Sequence, residues 1–190
     1  MKNVLIFVGI IALILIGFGL FHVKVNNKLV DLDENTVQAW ANVETVLQRR
    51  YDLIPNLVNT VKGYAKHEKE LLTEVTKLRS QWAAAKASGD SDKSVKAAGM
   101  LEGALGRLMV VVEKYPDLKA NQNFLALQDE LSGTENRISV ERRRYNLAVT
   151  SYNKYIRQFP GSIYSTSKGF KRKTPFESAP EAKAVPKVSF

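Results

Sequence analysis

The sequence predicts an all-α protein: an N-terminal transmembrane helix, then an antiparallel helical bundle, then an extended C-terminal tail. Three observations predict it. Eighteen residues from Val4 to Phe21 carry no charge. From Lys28 to Phe159 the composition favours strong helix formers, interrupted only by Pro55 and Pro116. Beyond Phe159, four prolines (Pro160, Pro175, Pro180, Pro186) break any further helical pattern. A chain of 190 residues holds one principal core. It has no cysteine, which excludes a disulfide framework, a thiolate nucleophile and a lipid-bearing cysteine.

These signals divide the chain into a short N-terminal tail (residues 1–3), a membrane span (4–23), a bundle (24–159) and a basic tail (160–190). With Val23 the apolar stretch reaches about 20 residues, enough at about 1.5 Å per residue for a hydrocarbon core of roughly 30 Å. A cleaved signal peptide has a shorter apolar region and a small-x-small site. Phe21, His22, Val23 and Lys24 offer no such site, so an uncleaved single-pass anchor is expected. A soluble core helix keeps a polar face, and this segment has none. Lys2 and the free amine lie before the span and Lys24 and Lys28 after it, a balance that selects no orientation.

In the bundle, Val37, Trp40, Leu47, Tyr51, Ile54, Val58, Val61, Leu72, Val75, Leu78 and Trp82 recur mostly at helical spacing and mark one buried stripe. Phe124, Leu127, Leu131, Ile138, Tyr145, Val149, Tyr152, Ile156 and Phe159 mark a second. A shorter segment between them carries Met100, Leu101, Leu105, Leu108, Val111 and Val112. Ser88 to Asp92 reads as a loop, with Asp92 a helix cap, and Tyr115-Pro116-Asp117 as a corner. Arg49, Arg50 and Asp52 before Pro55 favour a helix break there, giving four bundle helices; a kink at Pro55 would leave three. Gly99, Gly103 and Gly106 share a face, where a neighbouring helix is expected to approach closely.

Polar residues fall where the stripes expect apolar ones: Glu44 and Glu68 in the first, Thr134, Glu135, Glu141 and Arg142 in the second. With Arg49, Arg50, Asp52, Asn56, Asn136, Arg137 and Asn146 nearby, an interhelical polar network is expected, since an unpaired charge there is costly. A di-iron bundle would need Glu-x-x-His motifs, and there are none. His67 stands alone as a candidate and reads as a hydrogen-bonding surface or interhelical residue. No phosphate loop or nucleophile elbow is present, so neither catalytic residues nor a cofactor nor a metal is expected.

Two long segments carry a resemblance. Ala39 to Glu68 (AWANVETVLQRRYDLIPNLVNTVKGYAKHE) and Leu131 to Pro160 (LSGTENRISVERRRYNLAVTSYNKYIRQFP), with the closing PKVSF, resemble the signatures of the LemA family. The resemblance implies one N-terminal membrane helix, a four-helix-bundle domain and no established biochemical activity. Some members resemble lipoproteins with an anchoring cysteine, and this chain departs from them. Family members are often encoded near membrane metalloproteases, which suggests a partner of that kind and a link to membrane quality control. The signatures fall on Arg49, Arg50, Asp52, Pro55, Asn56, Gly63, His67, Glu68, Gly133, Glu135, Asn136, Arg137, Tyr145 and Asn146. Those positions read either as a network that fixes helix register or as a recognition surface.

The net charge of +9 is unevenly spread, with residues 160–190 far more basic per residue than the bundle. Lys168, Phe170, Lys171, Arg172 and Lys173 are the candidates for contact with anionic lipid. A nearly balanced bundle behind a membrane anchor argues against nucleic acid. The expected protein is therefore a bacterial inner-membrane scaffold or adaptor, non-enzymatic and capable of self-assembly. The alternatives are a lipid-organising protein and a ligand-binding or enzymatic domain built on the polar network.

Overall fold

The computed structural model describes residues 2–176, with the side chains of Lys2, Val4 and Leu5 excepted. The closing PKVSF and the expected extended chain over residues 177–190 lie outside the described residues. Seven helices follow one another: α1 (Lys2–Asp52), α2 (Ile54–Tyr64), α3 (Lys69–Ala87), α4 (Ser91–Val112), α5 (Pro116–Lys119), α6 (Gln122–Tyr155) and α7 (Gly161–Lys168). Among the described residues there is no strand. The described residues divide into two compact units, one of residues 2–38 and 147–173, the other of residues 39–146 and 174–176.

In the first unit, α1 opens with the apolar stretch, whose described side chains from Ile6 to Val23 are exposed. The helix is long and apolar enough to cross a membrane. Leu13, Phe18 and Leu20 are each about two thirds exposed or more, an arrangement unfavourable in water by roughly 1.5–3 kcal/mol per side chain and suited to lipid. Past Lys24 the same helix buries Val25 and Leu29. Leu29 forms a small core with Tyr152 of α6 and Ile156 just past its end, against which Tyr155, Tyr164 and Phe170 pack. The tail is thus not extended from Pro160 onward as expected: Gly161 to Lys168 are helical. Gly161 allows this, because a Cβ there would lie 2.3 Å from the carbonyl oxygen of Tyr155. Gly169, in the left-handed region at φ 74°, ends α7.

Past α7, the Tyr152 hydroxyl donates to the carbonyl of Lys171 at 2.9 Å. The Asn153 amide donates to the carbonyl of Lys173 at 2.8 Å and accepts from its N–H at 3.0 Å. Lys173 itself reaches Asp33 at 2.7 Å and Thr36 at 2.6 Å and lies over the Tyr152 ring.

In the second unit, the end of α1 with α2, then α3, α4 and α6 form the four bundle helices. The expected break at Pro55 is present: α1 ends at Asp52 and α2 begins at Ile54, with Pro55 in its first turn. Leu53 keeps helical dihedrals, and Leu57 N–H donates to its carbonyl at 3.0 Å. Proline cannot supply the N–H that Tyr51 C=O would receive in a regular helix. Arg79 of α3 supplies it instead, its Nε donating to that carbonyl at 3.0 Å. A further, unexpected corner lies at Ala65 to Glu68, inside what the apolar spacing reads as one continuous stripe.

Asp90, not Asp92, caps α4, accepting from Lys93 N–H at 3.1 Å. Asn121 caps α6 through Phe124 N–H at 3.0 Å. Leu47, Leu57, Val75, Trp82, Leu101, Leu105, Leu108, Phe124 and Ile138 make the core, while Val37, Met100 and Phe159 of the expected stripes are exposed. Gly99, Gly103 and Gly106 do not receive a neighbouring helix, for a Cβ on any of them would meet nothing within 4 Å. Their face of α4 is exposed.

Removing Arg79 leaves the Tyr51 carbonyl without its partner. Arg79→Ala is expected to lower unfolding free energy by about 1–2 kcal/mol, read from the denaturant midpoint. The double variant with Pro55→Ala, which restores a helical donor, is expected to recover part of that loss.

Candidate functional site

The most concentrated polar chemistry lies inside the second unit, where α1, α4 and α6 meet. Its centre is Glu102 of α4, a residue absent from the sequence-based candidates. Arg50 of α1 reaches it at 3.2 Å and Arg142 of α6 at 3.8 Å, while the Tyr51 hydroxyl donates to it at 3.0 Å. Arg50 also pairs with Glu135 of α6. Geometry ranks these contacts. The side chains of Arg50 and Glu102 are 13% and 16% exposed, whereas Glu135 is 50% exposed, so solvent screens the second pair far more than the first. The local reason for this convergence is that Glu102 faces Arg50 from between the buried turns of Leu101, Ala104 and Leu105.

Burial, reinforced by the charge of Glu102 and its hydrogen bond, holds the Tyr51 hydroxyl well above its usual pKa. Tyr51 also packs edge-on against Trp82 at 4.7 Å. Arg50 Nε and Arg142 Nε are buried donors without a hydrogen-bond partner among the described residues. Glu141 Oε2 of α6 is a buried acceptor likewise without a hydrogen-bond partner among the described residues, so unmatched groups of both signs lie here. Beside it a cavity of about 210 Å³ opens among Arg50, Met109, Phe124, Leu131 and Glu135. That is smaller than the roughly 300–1,000 Å³ usual for a small-molecule site. No group of three His, Asp or Glu residues is placed to hold a metal ion among the described residues.

The predicted site residues separate into four kinds. Arg50 and Glu135 belong to the interhelical network. Tyr145 and Asn146 hold the chain after residue 173: the Tyr145 hydroxyl donates to Thr174 C=O at 3.2 Å. The Asn146 amide donates to Phe176 C=O at 2.9 Å and accepts from its N–H at 2.8 Å. Phe176 settles against Trp40, Tyr145 and the Arg142 guanidinium, and Thr174 N–H donates to Asp92 at 2.8 Å. Glu68 and Asp52 tie separate elements, Glu68 accepting from Tyr115 at 3.1 Å and Asp52 accepting from Gln48 at 2.7 Å and lying 3.9 Å from Arg79 of α3. Arg49, Asn56, His67, Asn136 and Arg137 are exposed and make no side-chain hydrogen bond or ion pair among the described residues.

The lipid candidates separate as well. Phe170 and Lys173 are turned to intramolecular contacts, Lys168 reaches Asn26, and Lys171 and Arg172 are exposed.

A second feature went unpredicted. A groove of about 630 Å³ lies between α2 and α3, with Val58, Ala65 and Leu72 in its lining and Lys62, Lys66, Lys69 and Lys77 around it. No acid lines it.

The geometry defines an all-α protein in which a membrane-length apolar helix leads into a bundle tied together by an Arg–Glu–Tyr cluster. The chain belongs to the LemA family, whose match covers residues 39–190. It is 30% identical to Protein LemA of Metamycoplasma hominis, over 75% of this chain and 64% of that protein. It is 28% identical to Magnetosome protein MamQ 2 of Paramagnetospirillum magneticum and 25% to Magnetosome protein MamQ of Magnetospirillum gryphiswaldense. Each of those two alignments covers 81% of this chain and 65% of the relative. The chain thus spans just under two thirds of the length of these relatives. None of their names is that of an enzyme.

Two predictions follow the ranking of contacts. Glu102→Ala leaves two arginines and a tyrosine without their shared acceptor and is expected to cost roughly 2–3 kcal/mol. Glu135→Ala is expected to cost less than about 1 kcal/mol; denaturant titration of both variants reads the difference.

The tyrosines give a pH signature. Burial first, then Asp92 for Tyr145 and Asp33 for Tyr152, pushes both hydroxyls up to about 12. The folded state keeps protons that the unfolded chain releases near pH 10, so this stabilisation is whole below about pH 10 and lost as pH rises to about 12. Denaturant midpoints should be flat to about pH 9 and fall above it. Tyr152→Phe is expected to make that fall shallower.

Proposed function

We propose that this protein is a single-pass, membrane-anchored adaptor of the LemA type, non-enzymatic, in a bacterial cell membrane. Its groove between α2 and α3 receives an acidic amphipathic segment of a membrane protein partner. The composition of that groove carries the reading: apolar residues line it, four lysines border it and no carboxylate neutralises them within it. An amphipathic helix lays its apolar face into such a groove, and acidic residues on its flanks meet the lysines, which favours encounter and discriminates against basic segments. The family resemblance suggests a membrane metalloprotease as the partner class, which would link the adaptor to membrane protein quality control.

The test uses the full chain in its native membrane, with a photo-crosslinking amino acid at Thr73, which lines the groove. The expected adduct is to an acidic segment of a membrane protein, reduced by about tenfold or more when Lys66→Glu and Lys69→Glu are combined, with helix content unchanged. An adduct insensitive to charge reversal, or no adduct, overturns the docking reading. An adduct to a second copy of the chain replaces the partner with homo-oligomerisation.

A further inference from the structure

We infer that α7 and the turn before it make a second membrane contact, seating Phe159 of the turn and Ile163 of the helix in the lipid headgroup region beside the point where the anchor leaves the bilayer. The inference rests on the anchor reading above and extends it to a part of the chain that reading does not use.

Three observations within the first unit carry it. The first is level. The Tyr164 hydroxyl lies 3.0 Å from His22 Nδ1, with the two rings 4.9 Å apart. The Tyr155 hydroxyl donates to Val25 C=O at 3.2 Å, and Lys168 reaches the Asn26 side chain. These contacts fix α7 and the end of α6 along residues 22–26 of α1, where the apolar stretch gives way to Lys24. That boundary is where an amphipathic tyrosine is favoured in a bilayer.

The second observation is exposure. Phe159 is 77% and Ile163 60% exposed. Phe159 ends the second apolar stripe in the turn just before α7, and Ile163 lies on α7, whose buried residues are Gly161 and Ser165. A close approach at Gly161 sets the start of the helix, between Phe159 and Ile163, against Tyr155.

The third is charge. The two segments that meet at this level, residues 22–28 and 154–172, contain seven bases and no acid. Lys24, Lys28, Arg157, Lys171 and Arg172 are exposed and in no ion pair among the described residues. Apolar side chains ringed by bases are the composition of a surface that enters the boundary of an anionic bilayer. Lys173, which pairs with Asp33, takes no part.

The absence of cysteine makes the test direct. Full-length single-cysteine variants F159C, I163C, L13C and Q81C are labelled with an environment-sensitive fluorophore and reconstituted in vesicles containing phosphatidylglycerol. Quenching is read from headgroup-level spin-labelled lipid, from deep spin-labelled lipid and from aqueous iodide. The label at position 13 is expected to respond to the deep lipid, and that at 81 to iodide. Labels at 159 and 163 should respond to headgroup-level lipid at least about threefold more than that at 81.

Iodide quenching at 159 and 163 equal to that at 81, with position 13 still in lipid, overturns the interfacial role of α7 and leaves the anchor standing. Shielding from iodide without quenching by lipid also overturns it, since a protein surface then covers the pair. Loss of lipid quenching at position 13 overturns the anchor reading itself.

Discussion

A single half-enclosed carboxylate sets the register of the bundle. Glu102 takes Arg50 from one helix, Arg142 from another and the Tyr51 hydroxyl beside them. Sliding any of the three helices by a turn would leave charge inside a region where it is barely hydrated, a penalty larger than the worth of most apolar contacts displaced. Apolar contact is non-directional, so the stripes alone constrain register less sharply than charge does. The charged cluster supplies the sharper constraint. From the same arginine, Arg50, a second and more exposed arm reaches Glu135.

The break at Pro55 follows the same logic of satisfied groups. Proline takes away one donor, and an arginine from the next helix supplies another. The break is therefore a junction with that helix, and it brings Tyr51 to both Trp82 and Glu102.

Much of this was legible in the residues. The apolar stretch, the two stripes, the corner at Pro116 and the likeness to LemA proteins all carry strong local signals. The corner at Ala65 to Glu68 does not, because no proline or positive-φ glycine marks it and it is closed by a distant residue, Tyr115. Glu102 was missed because it interrupts no stripe. The signal available was its isolation as the one charge between Lys96 and Arg107. Glu135 attracted attention by sitting in a stripe position, yet lies half in solvent. Periodicity reports which face of a helix a residue occupies and says nothing of how far a long side chain reaches. In the tail, prolines with Gly161 and Gly169 signal extended chain, whereas Gly161 instead meets Tyr155 closely at the start of a helix, a contact that spacing does not encode.

The Tyr-Asn pairs at 145–146 and 152–153 grip the later chain by its peptide groups, each amide side chain taking one N–H and one C=O. Main-chain atoms are common to every residue type except for the proline nitrogen. The gripped stretch is accordingly free to drift in its side chains at Arg172 and Pro175, while Lys173 and Phe176, which find partners of their own, are not. Homologous chains should vary there without loss of the grip, whereas replacement of either asparagine by aspartate would set a carboxylate against a carbonyl and release it.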